Sequence, residues 1–137
     1  MKVLIDTNIL LDFFGQREPF QIPAIKIVAW AEKKQFQALV AAISFNNVFY
    51  IVRKEAGRKN ALEAIRIMHA LFETAPLNGA IIQQALDSDF ADFEDALQYY
   101  SAVRSRAKCL ITRDPRHYPQ DGPAILSPEA FLARLPK

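Results

Sequence analysis

Apolar and polar positions follow two alternating patterns along this chain. Short runs rich in apolar and β-branched residues predict buried strands, and the segments between them carry apolar residues at helical spacing. Five runs have the length of strands, namely residues 2–5, 37–43, 74–77, 109–112 and 124–126. Pro76 assigns the third run to a sheet edge, because proline cannot donate a backbone hydrogen bond to a neighbouring strand. The alternation predicts a three-layer α/β/α protein with a central, mostly parallel sheet.

The helical pattern also predicts where individual helices begin and end. Helices are expected over residues 9–14, 23–34, 44–57, 60–72, 80–86 and 92–107, and from residue 127 onward. Ser44, Asn60 and Ser127 are the predicted N-caps, since their short polar side chains can accept a backbone hydrogen bond. Gly57 can end the third helix. The buried face of the 92–107 helix is predicted to comprise Phe93, Ala96, Leu97, Tyr100 and Val103.

Composition is that of an ordinary globular protein. The chain has 137 residues, of which 51% are hydrophobic and 23% are charged, which argues against disordered and fibrous classes. Nothing resembling a linker divides it, so residues 1–137 are predicted to form a single domain. The longest apolar runs are too short to span a membrane. Asp6 interrupts the first of them, so no signal peptide is expected and the cytoplasm is the predicted location.

Cysteine content and net charge narrow the chemistry only slightly. The single cysteine, Cys109, excludes an internal disulfide and a zinc site built from thiolates. A net charge of +2 is compatible with nucleic-acid binding but does not argue for it. Evidence for function has to come from the positions of particular charged residues.

Three aspartates occupy positions where a parallel sheet binds ligands. Asp6 follows the first predicted strand and Asp114 follows the fourth, at carboxyl ends that border the ligand crevice of an open α/β sheet. Asp95 lies near the start of the helix that leads into the fourth strand, and Asp92 can share its helical face. By position alone, each could equally be a turn former or a helix cap.

A cluster of these carboxylates would attract a cation. Two carboxylates about 4 Å apart repel by about 4 kcal/mol at an effective dielectric constant of about 20, so three together need a cation or a proton. Hard divalent ions such as Mg²⁺ prefer oxygen ligands, and a water bound to such an ion can attack a phosphodiester. No Ser-His-Asp arrangement or glycine-rich phosphate loop competes with this interpretation. The spacing therefore indicates a possible metal site.

Three segments resemble the PIN-domain nucleases. The motif at residues 3–10 reads VLIDTNIL, residues 95–97 read DAL, and residues 110–114 read LITRD. Their order and separation are similar to those of the family across nearly the whole chain, and its short length is most similar to the VapC-type toxins of toxin–antitoxin pairs. The resemblance implies a PIN-like fold and an endoribonuclease that uses Mg²⁺ or Mn²⁺, forms a homodimer, cleaves RNA and is inhibited by a cognate antitoxin. It also implies that Asp6, Asp95 and Asp114 are the catalytic and metal-binding residues.

The resemblance assigns supporting roles to further residues and is broken at one position. Thr7, Asn8 and Thr112 are expected to orient the acids or a metal-bound water. Asn47 stands where the family has a glutamate; its carbonyl can hold a metal-bound water but brings no charge, which favours one metal ion over two. Asp92 is a possible additional acid. Either Asp92 or Glu94 could compensate, although neither is assigned as a ligand.

Two arginines and two other function classes complete the predictions. Arg113 and Arg116 flank Asp114 and are candidates for contacts to RNA phosphates. One alternative is an inactive or weakened PIN-like interaction module that has lost catalysis through Asn47. Another is a phosphotransfer receiver or aspartyl phosphatase, but the second aspartate of such a phosphatase is replaced here by Asn8.

Overall fold

The computed structural model describes residues 1–136, whose strands form one five-stranded parallel sheet. Along the sheet the strands lie in the order β3-β2-β1-β4-β5. Their bounds are β1 Lys2–Ile5, β2 Gln37–Ala41, β3 Glu73–Ala75, β4 Cys109–Ile111 and β5 Ala124–Leu126. All four pairings are parallel. The predicted sheet is confirmed, including the edge position of the strand that precedes Pro76.

Helices connect the strands and cover both faces of the sheet. Their bounds are α1 Thr7–Phe14, α2 Gln21–Glu32, α3 Ala42–Ala56, α4 Arg58–Leu71, α5 Gly79–Leu86, α6 Phe93–Arg104 and α7 Pro128–Ala133, with a short 3₁₀ helix at Pro115–His117. Within the described part of the chain, none of these helices combines the length and apolarity needed to cross a bilayer.

Alternate side chains of the central strand divide the core in two. Val3 and Ile5 pack with apolar residues of α1, α2, α3, α4 and α7. Leu4 points to the opposite face, where it packs with Tyr99 and Ala102 of α6. This alternation is the period-2 geometry of a strand buried on both faces. It gives the predicted three layers.

Two predicted N-caps are wrong. The helix α3 begins at Ala42, directly after β2, so Ser44 lies inside its first turn, where it is fully buried. Gly57 adopts a φ of +89° and separates α3 from α4 by a single residue. Because α4 therefore starts at Arg58, Asn60 falls in its first turn and donates to the Ala56 carbonyl instead of capping. The Ser127 cap is confirmed, since its hydroxyl accepts from the Ala130 amide.

The buried face of α6 differs from the predicted one. Phe93 and Val103 are 48% and 39% exposed, whereas Ala96 and Leu97 are buried as predicted. The helix packs both on the sheet and on α5, so its buried surface extends around to residues that the apolar pattern omits. These additional buried residues are Gln98, Tyr99, Ser101 and Ala102.

Candidate active site

The candidate site lies where the order of strands reverses. The chain passes from the central strand β1 to β2 on one side, and β4 lies on the other side with Ile5 paired to Ile111. In open α/β sheets the crevice at such a switch point binds ligands. Asp6 and Thr112 directly follow these two strands, so the fold places both at the floor of the crevice.

The Asp6 carboxylate is buried and tightly held. Its exposure is 3%, and its backbone N–H donates to the Ile111 carbonyl at 3.0 Å. The Thr112 hydroxyl donates to Oδ2 at 2.7 Å, and the Gln98 amide donates to Oδ1 at 2.9 Å. The Asn8 backbone N–H also donates to Oδ1 at 3.4 Å, so that oxygen has two donors, whereas Oδ2 has one and keeps a lone pair for a further ligand.

Asp95 lies across the crevice in the first turn of α6. Its backbone N–H is capped by Asp92 Oδ1 at 3.0 Å. The Tyr118 hydroxyl donates to Asp95 Oδ1 at 3.2 Å, and His117 Nδ1 lies 3.7 Å from Oδ2. Burial, and then the negative charges of Asp92 and Asp6, raise the pKa of Asp95 to about 6. A cation in the crevice would relieve this crowding of negative charge.

A cavity of about 180 Å³ brings the predicted acids together. Its lining residues are Asp6, Asn8, Asp92, Asp95, Thr112, Asp114, His117 and Tyr118. Asp114 is exposed at the margin, and its backbone N–H donates to the Thr112 hydroxyl at 3.1 Å. The same hydroxyl thus links two of the three aspartates.

An adjoining cavity of about 310 Å³ contains the position where the family resemblance is broken. Asn47 and Glu94 line it with Thr7, and Asn8 borders both cavities. Burial raises the pKa of Glu94, while the neighbouring Thr7 and Asn47 side chains act in the opposite direction. The Asn47 amide nitrogen is buried; within residues 1–136 it faces Glu94 but makes no hydrogen bond of ordinary geometry.

Gln98 is a site residue that the sequence pattern did not reveal. It is 1% exposed; its Nε2 donates to Asp6, and its Oε1 accepts from the Thr7 backbone N–H at 3.0 Å. Its amide therefore joins α6 to the corner between β1 and α1. The available signal was a glutamine three residues after Asp95, which places both side chains on one helical face.

Replacing Gln98 with methionine is expected to lower the free energy of unfolding by about 1–3 kcal/mol. The substitution keeps the length of the side chain but leaves the Thr7 N–H without its acceptor and Asp6 Oδ1 with only the 3.4 Å bond from the Asn8 N–H. Urea unfolding followed by circular dichroism measures the change. Gln83→Met, at an exposed position of α5, is the matched control and should change the free energy of unfolding by less than about 0.5 kcal/mol. Equal stability of the two variants would contradict a supporting role for Gln98.

Arg113 is directed away from the acidic cavity. Its Nε lies 2.8 Å from Oδ2 of the fully buried Asp12, and its guanidinium stacks 4.0 Å from the Phe20 ring centroid. This contact ties the turn that carries Asp114 to α1. Arg116, by contrast, is exposed beside the cavity and stays a candidate for contacts to phosphate.

The chemistry of the cavity fits a hard divalent ion. Its lining offers carboxylate, hydroxyl and amide oxygens and no thiol, which is the donor set of Mg²⁺ or Mn²⁺. In the part of the chain that the structure describes, no three acidic, histidine or cysteine side chains stand close enough to enclose an ion. Asp6 and Asp95 already face one space, whereas Asp114 is exposed at its margin.

Comparisons with known proteins agree with this architecture. The chain is 28% identical over 141 residues to ribonuclease VapC1 of Aquifex aeolicus, covering 97% of this chain and 94% of that protein. Its fold is similar to a toxin–antitoxin complex from Klebsiella pneumoniae (TM-score 0.69, 23% identity, 92% and 97% of the chains). It is also similar to Mycobacterium tuberculosis VapC20, a sarcin-ricin loop cleaving toxin (TM-score 0.65, 13% identity, 79% and 86%). Residues 2–116 match the PIN domain family, to which this chain therefore belongs.

Proposed function

We propose that this protein is a metal-dependent endoribonuclease of the VapC type and the toxin of a toxin–antitoxin pair. The observation that carries the proposal is the single cavity lined by Asp6, Asp95 and Asp114 at the switch point of a PIN-domain sheet. The similarity to a curated protein named a ribonuclease supports the reaction class. RNA phosphodiesters are the proposed substrate.

The three aspartates are the proposed ligands of one Mg²⁺ or Mn²⁺ ion. When bound, the ion would lower the pKa of a coordinated water and offset charge on the phosphorus oxygens. The chain's own contribution is orientation: Thr112 and Gln98 hold both oxygens of Asp6. The Thr112 hydroxyl also accepts from the Asp114 amide, which fixes the start of the turn carrying that residue.

Substrate positioning is assigned to the rim of the cavity. Arg116 is exposed in a neighbouring cavity that shares Asp95 and His117 with the acidic one, and it carries the positive charge that would bind an RNA phosphate. Arg113 acts indirectly, because its guanidinium pairs with Asp12 and so anchors the turn between Thr112 and the 3₁₀ helix. The carboxylates of Asp6 and Asp95 would otherwise repel the phosphate, which gives the cation a second role.

A cognate antitoxin and a second copy of the chain are the proposed protein partners. The similar structure from Klebsiella pneumoniae is a toxin–antitoxin complex, and VapBC2 of Rickettsia felis was solved bound to promoter DNA (TM-score 0.69, 13% identity). These likenesses support an antitoxin partner, while the homodimer follows from resemblance to the VapC-type toxins. Co-purification with the product of an adjacent small reading frame tests the first, and light scattering tests the second.

Chelation is expected to stop RNA cleavage completely and reversibly. The proposed site holds its ion with carboxylates and water, so EDTA should remove it, and added Mg²⁺ or Mn²⁺ should restore it. Cleavage of a labelled structured RNA, resolved on a denaturing gel, provides the measurement. With Mg²⁺ as the added ion, phenanthroline serves as the control and should have little effect, because Mg²⁺ prefers oxygen ligands to the nitrogen donors of this chelator. Undiminished cleavage in EDTA would overturn metal dependence.

One observation favours a second candidate function, a PIN-domain interaction module without turnover. By the resemblance described above, Asn47 stands at the position of a glutamate of the family. The absence of that negative charge would weaken ion binding. This candidate predicts partner binding without cleavage of any RNA by the wild-type chain. Whether another residue replaces the missing charge decides between the two.

A further inference from the structure

We propose that Glu94 supplies the carboxylate that the PIN family carries at the position of Asn47, so that the fourth acid of the site comes from α6 instead of α3. The proposal deepens the function proposed above and rests on it. It assigns Glu94 as a metal-binding acid, acting either on the ion directly or through a bound water.

Three elements converge at this point. Glu94 from α6 and Asn47 from α3 line the same cavity with Thr7, the first residue of α1. The Thr7 and Ser44 hydroxyls lie 2.7 Å apart, and both are buried, so α1 and α3 are held together beside the two side chains. Thr7 also directly follows Asp6. Glu94 therefore lies, like Asn47, in the cavity that adjoins the one lined by the buried aspartate.

The burial of Glu94 is not explained by helix capping. Asp92 already caps α6, and acids in a first turn normally lie on the surface, where they interact with the helix dipole. Glu129 in α7 has that ordinary exposed placement, whereas Glu94 is half-buried. Among the described residues, none of the ion pairs involves Glu94. The neutral side chains of Thr7 and Asn47 favour its charged form but bring no positive charge, so a bound cation would stabilise this half-buried carboxylate further.

Asn47 and Glu94 are complementary as a pair. Two carboxylates about 4 Å apart would repel by about 4 kcal/mol at an effective dielectric constant of about 20. Glutamates at both position 47 and position 94 would therefore repel each other. The neutral Asn47 removes that repulsion, and its buried amide nitrogen offers a donor with no other partner within residues 1–136. The neutral residue on α3 and the acid on α6 thus amount to one carboxylate supplied by α6 instead of α3.

Metal binding to the RNA-free protein tests the assignment without relying on activity. Glu94→Gln is expected to weaken Mn²⁺ binding about 10-fold or more in isothermal titration calorimetry, and to raise by a similar factor the Mn²⁺ concentration needed for cleavage. Without metal, the same variant should melt at a higher temperature than wild type, because a half-buried charge is gone. The rise in melting temperature on adding Mn²⁺ should shrink.

Glu129→Gln is the matched control, since it also removes a glutamate from the first turn of a helix but at an exposed position. It should bind Mn²⁺ as the wild type does. The double variant Asn47→Glu/Glu94→Gln returns the acid to α3 and is expected to recover most of the lost affinity.

The possible results separate this inference from the proposed function. If Glu94→Gln binds Mn²⁺ like wild type while Asp6→Asn does not, the inference is overturned and the metal-dependent nuclease stands. A double variant that binds Mn²⁺ no better than Glu94→Gln also overturns it, because an acid at position 47 then cannot replace the one at position 94. If the wild type neither binds Mn²⁺ nor cleaves RNA, the proposed function is wrong, and the inference that rests on it is wrong as well.

Discussion

Asp6→Asn is expected to reduce RNA cleavage at least about 100-fold while leaving the fold intact. An asparagine can keep the three hydrogen bonds of the buried carboxylate: its Oδ1 accepts from Gln98 and from the Asn8 backbone N–H, and its Nδ2 donates to the Thr112 hydroxyl. That hydroxyl now donates to Asp6 Oδ2 at 2.7 Å and would only need to rotate. The substitution thus removes one negative charge from the cavity and little else. Gel-based cleavage rates, with circular dichroism as the fold check, measure the effect.

The exposed Asp121 provides the control for this substitution, because it lies outside the cavity lining and Asp121→Asn should retain wild-type cleavage. Adding Asp95→Asn to Asp6→Asn should cost little more, since ligands of one ion act as a unit. Cleavage that persists at the wild-type rate in folded Asp6→Asn would refute the proposed site.

Asp12→Ala is expected to lower the free energy of unfolding by about 3–5 kcal/mol. Asp12 is fully buried and its Oδ2 lies 2.8 Å from Arg113 Nε. Removing the aspartate leaves the Arg113 guanidinium without its charged partner, although the Arg113 side chain is only 24% exposed. Burial raises the pKa of Asp12 although Arg113 and Arg17 lower it, so the pair is already costly to bury. Urea denaturation at neutral pH gives the measurement.

The double variant Asp12→Leu/Arg113→Met distinguishes loss of packing from loss of charge pairing. It should recover much of the stability, because apolar residues of similar volume often replace a buried ion pair without penalty. Its cleavage rate should nevertheless remain low if Arg113 positions the turn that carries Asp114. Glu55→Ala, at the 3.9 Å and largely exposed contact with Arg17, is the control and should cost less than about 1 kcal/mol. Additive losses in the double variant would contradict this account.

Local pattern was sufficient for the sheet and for the acids that follow its strands. A buried strand requires a short apolar run, and β1 and β4 both end directly before polar residues, so the predicted neighbourhood of Asp6 and Asp114 follows from sheet geometry. Asp95 needed the additional resemblance to PIN domains, because an acid in the first turn of a helix is commonplace. These residues lie on one cavity, and their roles stay a proposal.

The parts that could not be predicted depend on contacts between distant segments. Gln98 is polar, and only the packing of α6 on both the sheet and α5 explains why it is buried against Asp6. The sequence makes Arg113 a candidate for contacts to RNA phosphate, but its partner Asp12 is distant in the chain, and this pairing cannot be predicted from either residue alone. The burial of Glu94 beside Asn47 likewise depends on how α3 and α6 approach each other.

The central position of β1 has a consequence for the order of events during synthesis. The Thr112 hydroxyl that holds Asp6 lies 106 residues later in the chain, and β4 is the second neighbour that β1 needs. On the ribosome, residues 2–5 can pair with β2 early but stay a sheet edge until β4 has left the exit tunnel. A nascent chain therefore cannot assemble the acidic cavity before β4 and Thr112 have left the exit tunnel, which delays any nuclease activity until that point of its synthesis.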